Sequence, residues 1–319
     1  GVPARDRRGR VSTGPVVTTP PDRGAAIHDL GYKRYAGARL AASTRWLVIM
    51  KNHVAHAWKT WWRFKSSLGL AVIVTVIAGG VMFLLQDQAV KGVVLPSGIA
   101  ATLTDGALPR AVQWYSRVAF VVSLTIGARV VAGDMQSGAF TFYFARSVRP
   151  RDYVLGKVAG QLALVAMIYM AGPLLLGIAR LGLADSTDEL IRLLPVIPKA
   201  LAIGALGTLA FGAVPLGFSA LVHNPRYALA LWATYYLIVG GMAWVLSRLT
   251  QSGVAALDLA ASLDRIAFWL FDLELVWGRA KRIDPYVALG SVLAHAGAAI
   301  GIVIWRVRAA HLRGIGGAS

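Results

Sequence analysis

Apolar residues run along this chain in blocks too long and too uninterrupted for strands or for ordinary surface helices. Five stretches contain no Asp, Glu, Lys or Arg: Leu68–Leu85, Val158–Ile178, Ala200–Val222, Tyr227–Leu246 and Tyr286–Trp305. Each is near the roughly 20 residues that a helix needs to cross a hydrocarbon core. A sixth stretch, Ala111–Ala132, is equally long but carries Arg117 and Arg129, one toward each end. The pattern predicts an all-α integral membrane protein with six transmembrane helices.

Two segments show helical periodicity without being apolar all round. In residues 44–65, Trp46, Ile49, Met50, Val54, Ala57, Trp58 and Trp61 recur at helical spacing. Lys51, Lys59, Arg63 and Lys65 fall on other faces. This predicts an amphipathic interfacial helix ahead of the first span. Leu257–Trp277 carries a charge every few positions, which predicts a helical extracytoplasmic segment before the last span, too polar to cross. Gln86–Arg110 and Ala179–Lys199 read as outer loops. The chain thus divides into a basic segment 1–43, the amphipathic helix 44–65, a six-helix domain 66–305 and a tail 306–319.

Composition agrees with the pattern. The chain is 56% hydrophobic and only 15% charged, against about 25% charged in soluble domains. An ordinary soluble enzyme and a disordered chain are both excluded. Cysteine is absent, which removes disulfides, thiolate metal sites and thiol nucleophiles. The net charge of +18 follows the topology. With six spans, both termini share a side that holds 22 of the 33 Lys and Arg and a net +17, against +1 on the other. The positive-inside rule makes that side cytoplasmic, in the cell membrane. The basic excess then needs no nucleic-acid partner. The proline-bearing N-terminal run lacks the apolar core of a signal peptide and is expected to be loosely held near anionic lipid.

Catalytic motifs are missing. Gly156–Lys157 is followed by Val158, so there is no phosphate loop. His53 and His56 lie three apart, but two ligands do not make a metal site, and interfacial histidines are the expectation. Ser123, Ser219 and His295 fall in different spans with nothing to position them as a hydrolytic pair. His295, at mid-span, is expected to bond a neighbouring helix or line a cavity. Arg117 faces either a cavity or partner subunit, or the outer headgroups by snorkelling.

The informative segment joins the second and third spans: GARVVAGDMQSGAFTFYFARSVRPRDYVLGKVAGQL. Gly133 and Gly138 interrupt the helix, Ala139–Phe144 is apolar and aromatic, and Arg146, Arg149, Arg151, Asp152 and Lys157 follow. On chemistry alone this is either a docking surface or an interfacial turn. For docking, the spacing puts Phe140 and Phe144 on one helical face and Phe142 on another, so the pair is expected to anchor. Asp134 is expected to cap the short helix after it.

This loop resembles that of ABC exporter permeases of the type-two class, which have six helices per subunit. Asp134 stands at the family's acidic position, Ser137–Gly138 at its small pair, Phe142–Tyr143–Phe144 in its apolar stretch, and Asp152–Tyr153–Val154–Leu155–Gly156–Lys157 at the opening of the third helix. The turn departs from the pattern, with Ser147 in place of the usual proline. A weaker match covers the second basic turn, including His223, Asn224 and Arg226. The resemblance implies a non-catalytic permease subunit that binds no cofactor itself. It implies a separate ATP-binding cassette ATPase carrying ATP and Mg, a second permease copy in a homodimer, membrane lipid around it, and export by alternating access. The rival class is an ATPase-independent secondary transporter, channel or scaffold.

Overall fold

The computed structural model describes residues 42–59, 61–86, 97–144, 148–250, 253–275 and 278–316, and every element among them is helical. The basic N-terminal segment up to residue 41 and Arg146 lie outside the described residues.

The amphipathic pattern produces α1, Arg45–Lys59. The first span follows as α2, Trp61–Gln86. The second begins as α3, Ser97–Thr125, breaks at a 3-10 turn Gly127–Arg129, and resumes as α4, Val130–Gln136. After Gly138 comes α5, Ala139–Phe144. The third span is α6, Pro150–Tyr169, with α7, Ala171–Gly182. The fourth is α8, Thr187–Leu193, with α9, Val196–Leu221. The fifth is α10, Pro225–Thr234, a π-turn Tyr235–Val239, and α11, Gly240–Thr250. Then come a 3-10 stretch Gly253–Leu257, α12, Leu259–Leu270, and the sixth span α13, Pro285–Gly316. Among the described residues, six helices are long and apolar enough to cross a membrane. The protein is therefore an all-α, multi-pass integral membrane protein.

Helix extends well beyond the apolar runs. The loop expected at Gln86–Arg110 is helical from Ser97 onward, with Pro109 inside the helix. Ala107, Leu108 and Ala111 are buried there and α3 packs along α2. Packing outweighs both the polarity of the segment and the proline. Ala179–Lys199, also expected as loop, is largely helical, with the Ser186 hydroxyl accepting from Glu189 N at the start of α8.

The core is an aromatic column. Tyr115, Tyr169, Phe211 and Trp232 come from spans two to five and are fully buried. Their rings follow one another at centroid distances of 6.5, 5.8 and 6.3 Å. Trp232 Nε1 donates to Ser123 Oγ at 2.9 Å, so the buried indole N–H is satisfied.

Two segments expected to rest at the membrane surface are held by the protein itself. Along α1, Ile49, His53 and Ala57 are buried against α6. A Cβ at Gly156 would sit 2.6 Å from Ile49, and one at Gly160 would sit 2.8 Å from His53. The two glycines, four apart, let the helices meet backbone to backbone. The segment after the fifth span folds inward. Asp258 caps α12 by accepting from Ala261 N at 3.1 Å, and Leu259, Leu263, Ile266 and Phe268 are buried. That helix packs on the second, fourth and sixth spans.

Candidate functional site

The second span ends where its helix breaks. α4 therefore starts with N–H groups that have no partner in its own helix. A neighbouring span supplies one: Ser219 Oγ, fully buried in α9, accepts from Val131 N at 3.0 Å and from Ala132 N at 2.9 Å. The loop between spans two and three is thereby tied to span four. Sequence reasoning treats Ser219 only as a polar residue in a span. Its role depends on a helix break that no local motif announces.

α4 and α5 form a short helical hairpin. Gly138, with φ +68°, makes the corner in a conformation that L side chains rarely adopt. Ser137 beside it is exposed, and its hydroxyl donates to Asp134 O at 3.4 Å. The expectation that Asp134 caps α5 is corrected. Asp134 lies inside α4, and its Oδ2 takes Lys157 Nζ at 2.7 Å and the Tyr153 hydroxyl at 2.7 Å. Lys157 and Tyr153 are both buried in α6, so this ion pair staples the hairpin to the third span.

The two rings expected to anchor a partner are engaged within the chain. Phe140 and Phe144 do share a face, but that face turns inward. Phe140 meets Tyr153 edge-on at 5.1 Å, while Phe144 lies 5.5 Å from Phe140 and 5.1 Å from His311 of the sixth span. Tyr143 joins them, 5.3 Å from Tyr153. Burial and then the nearby Asp134 charge push the Tyr143 hydroxyl above its ordinary range. Phe142 points the other way and is 74% exposed. The outer surface of the hairpin is Gln136, Ser137, Gly138, Thr141 and Phe142.

Of the residues that follow, Asp152 is structural. It is buried, and its Oδ2 accepts from Arg149 N at 3.2 Å, closing the start of α6 with Pro150 in the first turn. Arg149 is exposed, and Arg151 is 70% exposed with Asp152 3.9 Å away. Both arginines present charge outward at the start of α6.

The second basic turn lies at the same end of the bundle. Asn224 Oδ1 accepts from Arg226 N at 2.9 Å and caps α10, with Pro225 in its first turn. His223 is exposed, with Arg306 Nη2 3.0 Å from its ring nitrogen. Arg306 Nε also donates to Met135 Sδ at 3.3 Å. One arginine of the sixth span thus links both turns. In the sequence it reads only as the first charge past an apolar run.

His53 completes this end. Its Nε2 lies 3.2 Å from Gln161 Oε1. Burial foremost, then the positive charge of Lys157, lower its pKa to about 4. His53, His56, Arg129, Asp134 and Lys157 line a cavity of about 310 Å³ where α1 meets the hairpin. His295 lies far from here: its Nε2 is 2.6 Å from the Tyr235 hydroxyl at the π-turn. Ser123, Ser219 and His295 each have different partners, so no hydrolytic pair is assembled. Arg117 stacks on Trp114 at 4.2 Å, one turn back along its own helix, and lines two cavities.

A small exposed hairpin is fixed by separate contacts to the third, fourth and sixth spans. No curated protein matches the chain. Residues 49–257, more than half of it, match the family model described as ABC-2 family transporter protein. That match takes in the hairpin and five of the six spans, and the chain belongs to the ABC-2 transporter family as one of its membrane-spanning permeases.

Proposed function

We propose that this chain is the permease subunit of an ATP-driven exporter and that α4–α5 is its docking element for a separate ATP-binding cassette ATPase. The observation that carries the reading is the hairpin itself. It offers an exposed Phe142, with exposed Arg149 and Arg151 following in the chain, and is braced from behind by Asp134–Lys157, Ser219 and Arg306. A partner groove would take the phenyl ring as an anchor, and carboxylates at its rim would take Arg149 and Arg151. Two permease copies and two ATPases make the working unit, with ATP and Mg held by the ATPases. Closure of the ATPase dimer pushes both hairpins, and the rigid braces pass that push to the spans, which alternate between cytoplasmic and outer access. The termini and the hairpin are cytoplasmic on this reading, in line with the +17 to +1 charge division.

The test is co-purification with a co-expressed ATPase. Phe142→Ala should release the ATPase or uncouple its hydrolysis from transport, at a cost of about 2 kcal/mol of docking energy or more. Phe140→Ala with Phe144→Ala should instead lower the melting temperature, because those rings pack within the chain. An intact, coupled complex with Phe142→Ala would refute the docking role.

A further inference from the structure

Arg117 is a charge at mid-depth. Two residues away, Tyr115 shares a hydrogen bond of 2.7 Å with Thr75, which lies at the middle of the first span Phe64–Gln86. A charge at that depth is expensive and marks a cavity or a pathway. Two cavities meet at this residue. One is an apolar groove of about 640 Å³ between the first and second spans, walled by residues such as Ile73, Ile77 and Val121. The other is polar, about 300 Å³, and is lined by Gln113, Arg117, Tyr236, Asp258, Asp264 and Arg279 among others.

The charges of the polar cavity are unevenly partnered. Asp258 is paired with Arg279 at 3.2 Å and also caps α12, so both are accounted for within the fold. Asp264 differs. Its Oδ1 is buried with no hydrogen-bond partner. Burial, and then the negative charge of Asp258, raise its carboxyl to about 8, against the smaller opposing pull of the Arg117 charge and a hydrogen bond with Gln113. Arg117 is exposed to the cavity and rests on the Trp114 ring. The Asp264 carboxyl, mostly protonated at neutral pH until a cation approaches and ionises it, shares a single polar chamber with the Arg117 guanidinium, and an apolar groove lies beside it.

We infer that these joined cavities bind a zwitterionic aminophospholipid, with its phosphate on Arg117, its ammonium on Asp264 and an acyl chain in the groove along the first span. The charge pattern selects this ligand. A purely anionic amphiphile would leave Asp264 unanswered, and a purely cationic one would meet Arg117. Together the cavities fall in the size range of small-molecule sites. That this lipid is also the transported substrate rests on the permease reading; that it binds does not.

The test uses the full chain purified in detergent, with native mass spectrometry after addition of phosphatidylethanolamine or phosphatidylglycerol at equal ratios. Wild type should retain the ethanolamine lipid about tenfold more strongly, since one buried charge pair is at stake. Asp264→Asn should abolish that preference. Arg117→Gln should weaken retention of both lipids, while Asp264→Glu should restore the preference. Equal retention of the two lipids by wild type would overturn the proposal, and that comparison needs no variant to fold. Unchanged retention in both charge-removing variants would overturn it as well. Dissociation of a dimer by Arg117→Gln, with lipid retention unaltered, would make the groove a subunit interface and equally overturn the proposal. No ATPase is present in these measurements, so a negative result leaves the permease reading standing, and failure of ATPase co-purification leaves the lipid result standing.

Discussion

Replacing Ser219 by Ala removes one oxygen and strands two donors. The amides of Val131 and Ala132 lose their acceptor at a point where both residues are fully buried, so water cannot easily replace it. A buried N–H left without a partner costs about 1–3 kcal/mol, and two that share one acceptor should together cost about 3 kcal/mol after local relaxation. That is a large part of the roughly 5–15 kcal/mol that holds a domain together. The loss is local, because the aromatic column does not touch Ser219's hydrogen bonds. Hydrogen–deuterium exchange of the full chain in nanodiscs should show the amides around residues 130–136 exchanging about 100-fold faster, the equivalent of that energy. Ser219→Thr, which keeps the hydroxyl, should restore much of the protection. If the hairpin is the docking element, Ser219→Ala should also weaken coupling without weakening ATPase attachment, since Phe142 is untouched. Wild-type exchange rates in Ser219→Ala would refute the view that span four holds the start of α4.

His53 should make stability pH-dependent. Its folded pKa of about 4 lies below the ordinary 6.5, so the unfolded chain binds a proton that the folded chain refuses. Stability is full above about pH 6.5 and falls toward pH 4 by about 3 kcal/mol at most. Melting curves of wild type and His53→Gln should diverge in that window, and parallel curves would remove His53 as the cause. Gly160→Leu should separate α1 from α6, because the side chain would overlap the His53 ring; limited proteolysis should then cut within Arg45–Lys59. Single cysteines introduced at Ser12 and Ser252 should label from opposite sides in intact cells, with Ser12 protected, and outside labelling of Ser12 would invert the topology.

The spans are legible because each is an apolar run whose length alone meets the membrane's requirement. Their ends are not. Ser97–Arg110 looks polar along the chain, yet burial of Ala107 and Leu108 against the first span makes it helix. Within the hairpin, periodicity correctly pairs Phe140 with Phe144 on one face. It cannot say which face is inside, because Tyr153 and His311, which decide that, arrive from other helices. Asp134 follows the same rule. A local reading offers it a helix start, and the folded chain gives it Lys157, 23 positions on. Nothing local announces the contacts of Arg306 and His53, since their partners Met135, His223 and Gln161 are distant in sequence.

The π-turn at Tyr235–Val239 gives the fifth span two independent rotational settings. An inserted residue offsets everything beyond it by about 100° around the helix axis. Before the turn, Trp232 is locked into the aromatic column, and at its first residue Tyr235 is bonded to His295. Beyond it, Gly240 is close enough to Asp258 that any side chain would strike the carboxylate. The fifth span therefore acts as a camshaft with two lobes set at different angles. One lobe bears on the packed core and the other on the polar chamber. Sliding the bulge one position along the helix would re-index a single residue between the lobes and leave the ends of the span in place.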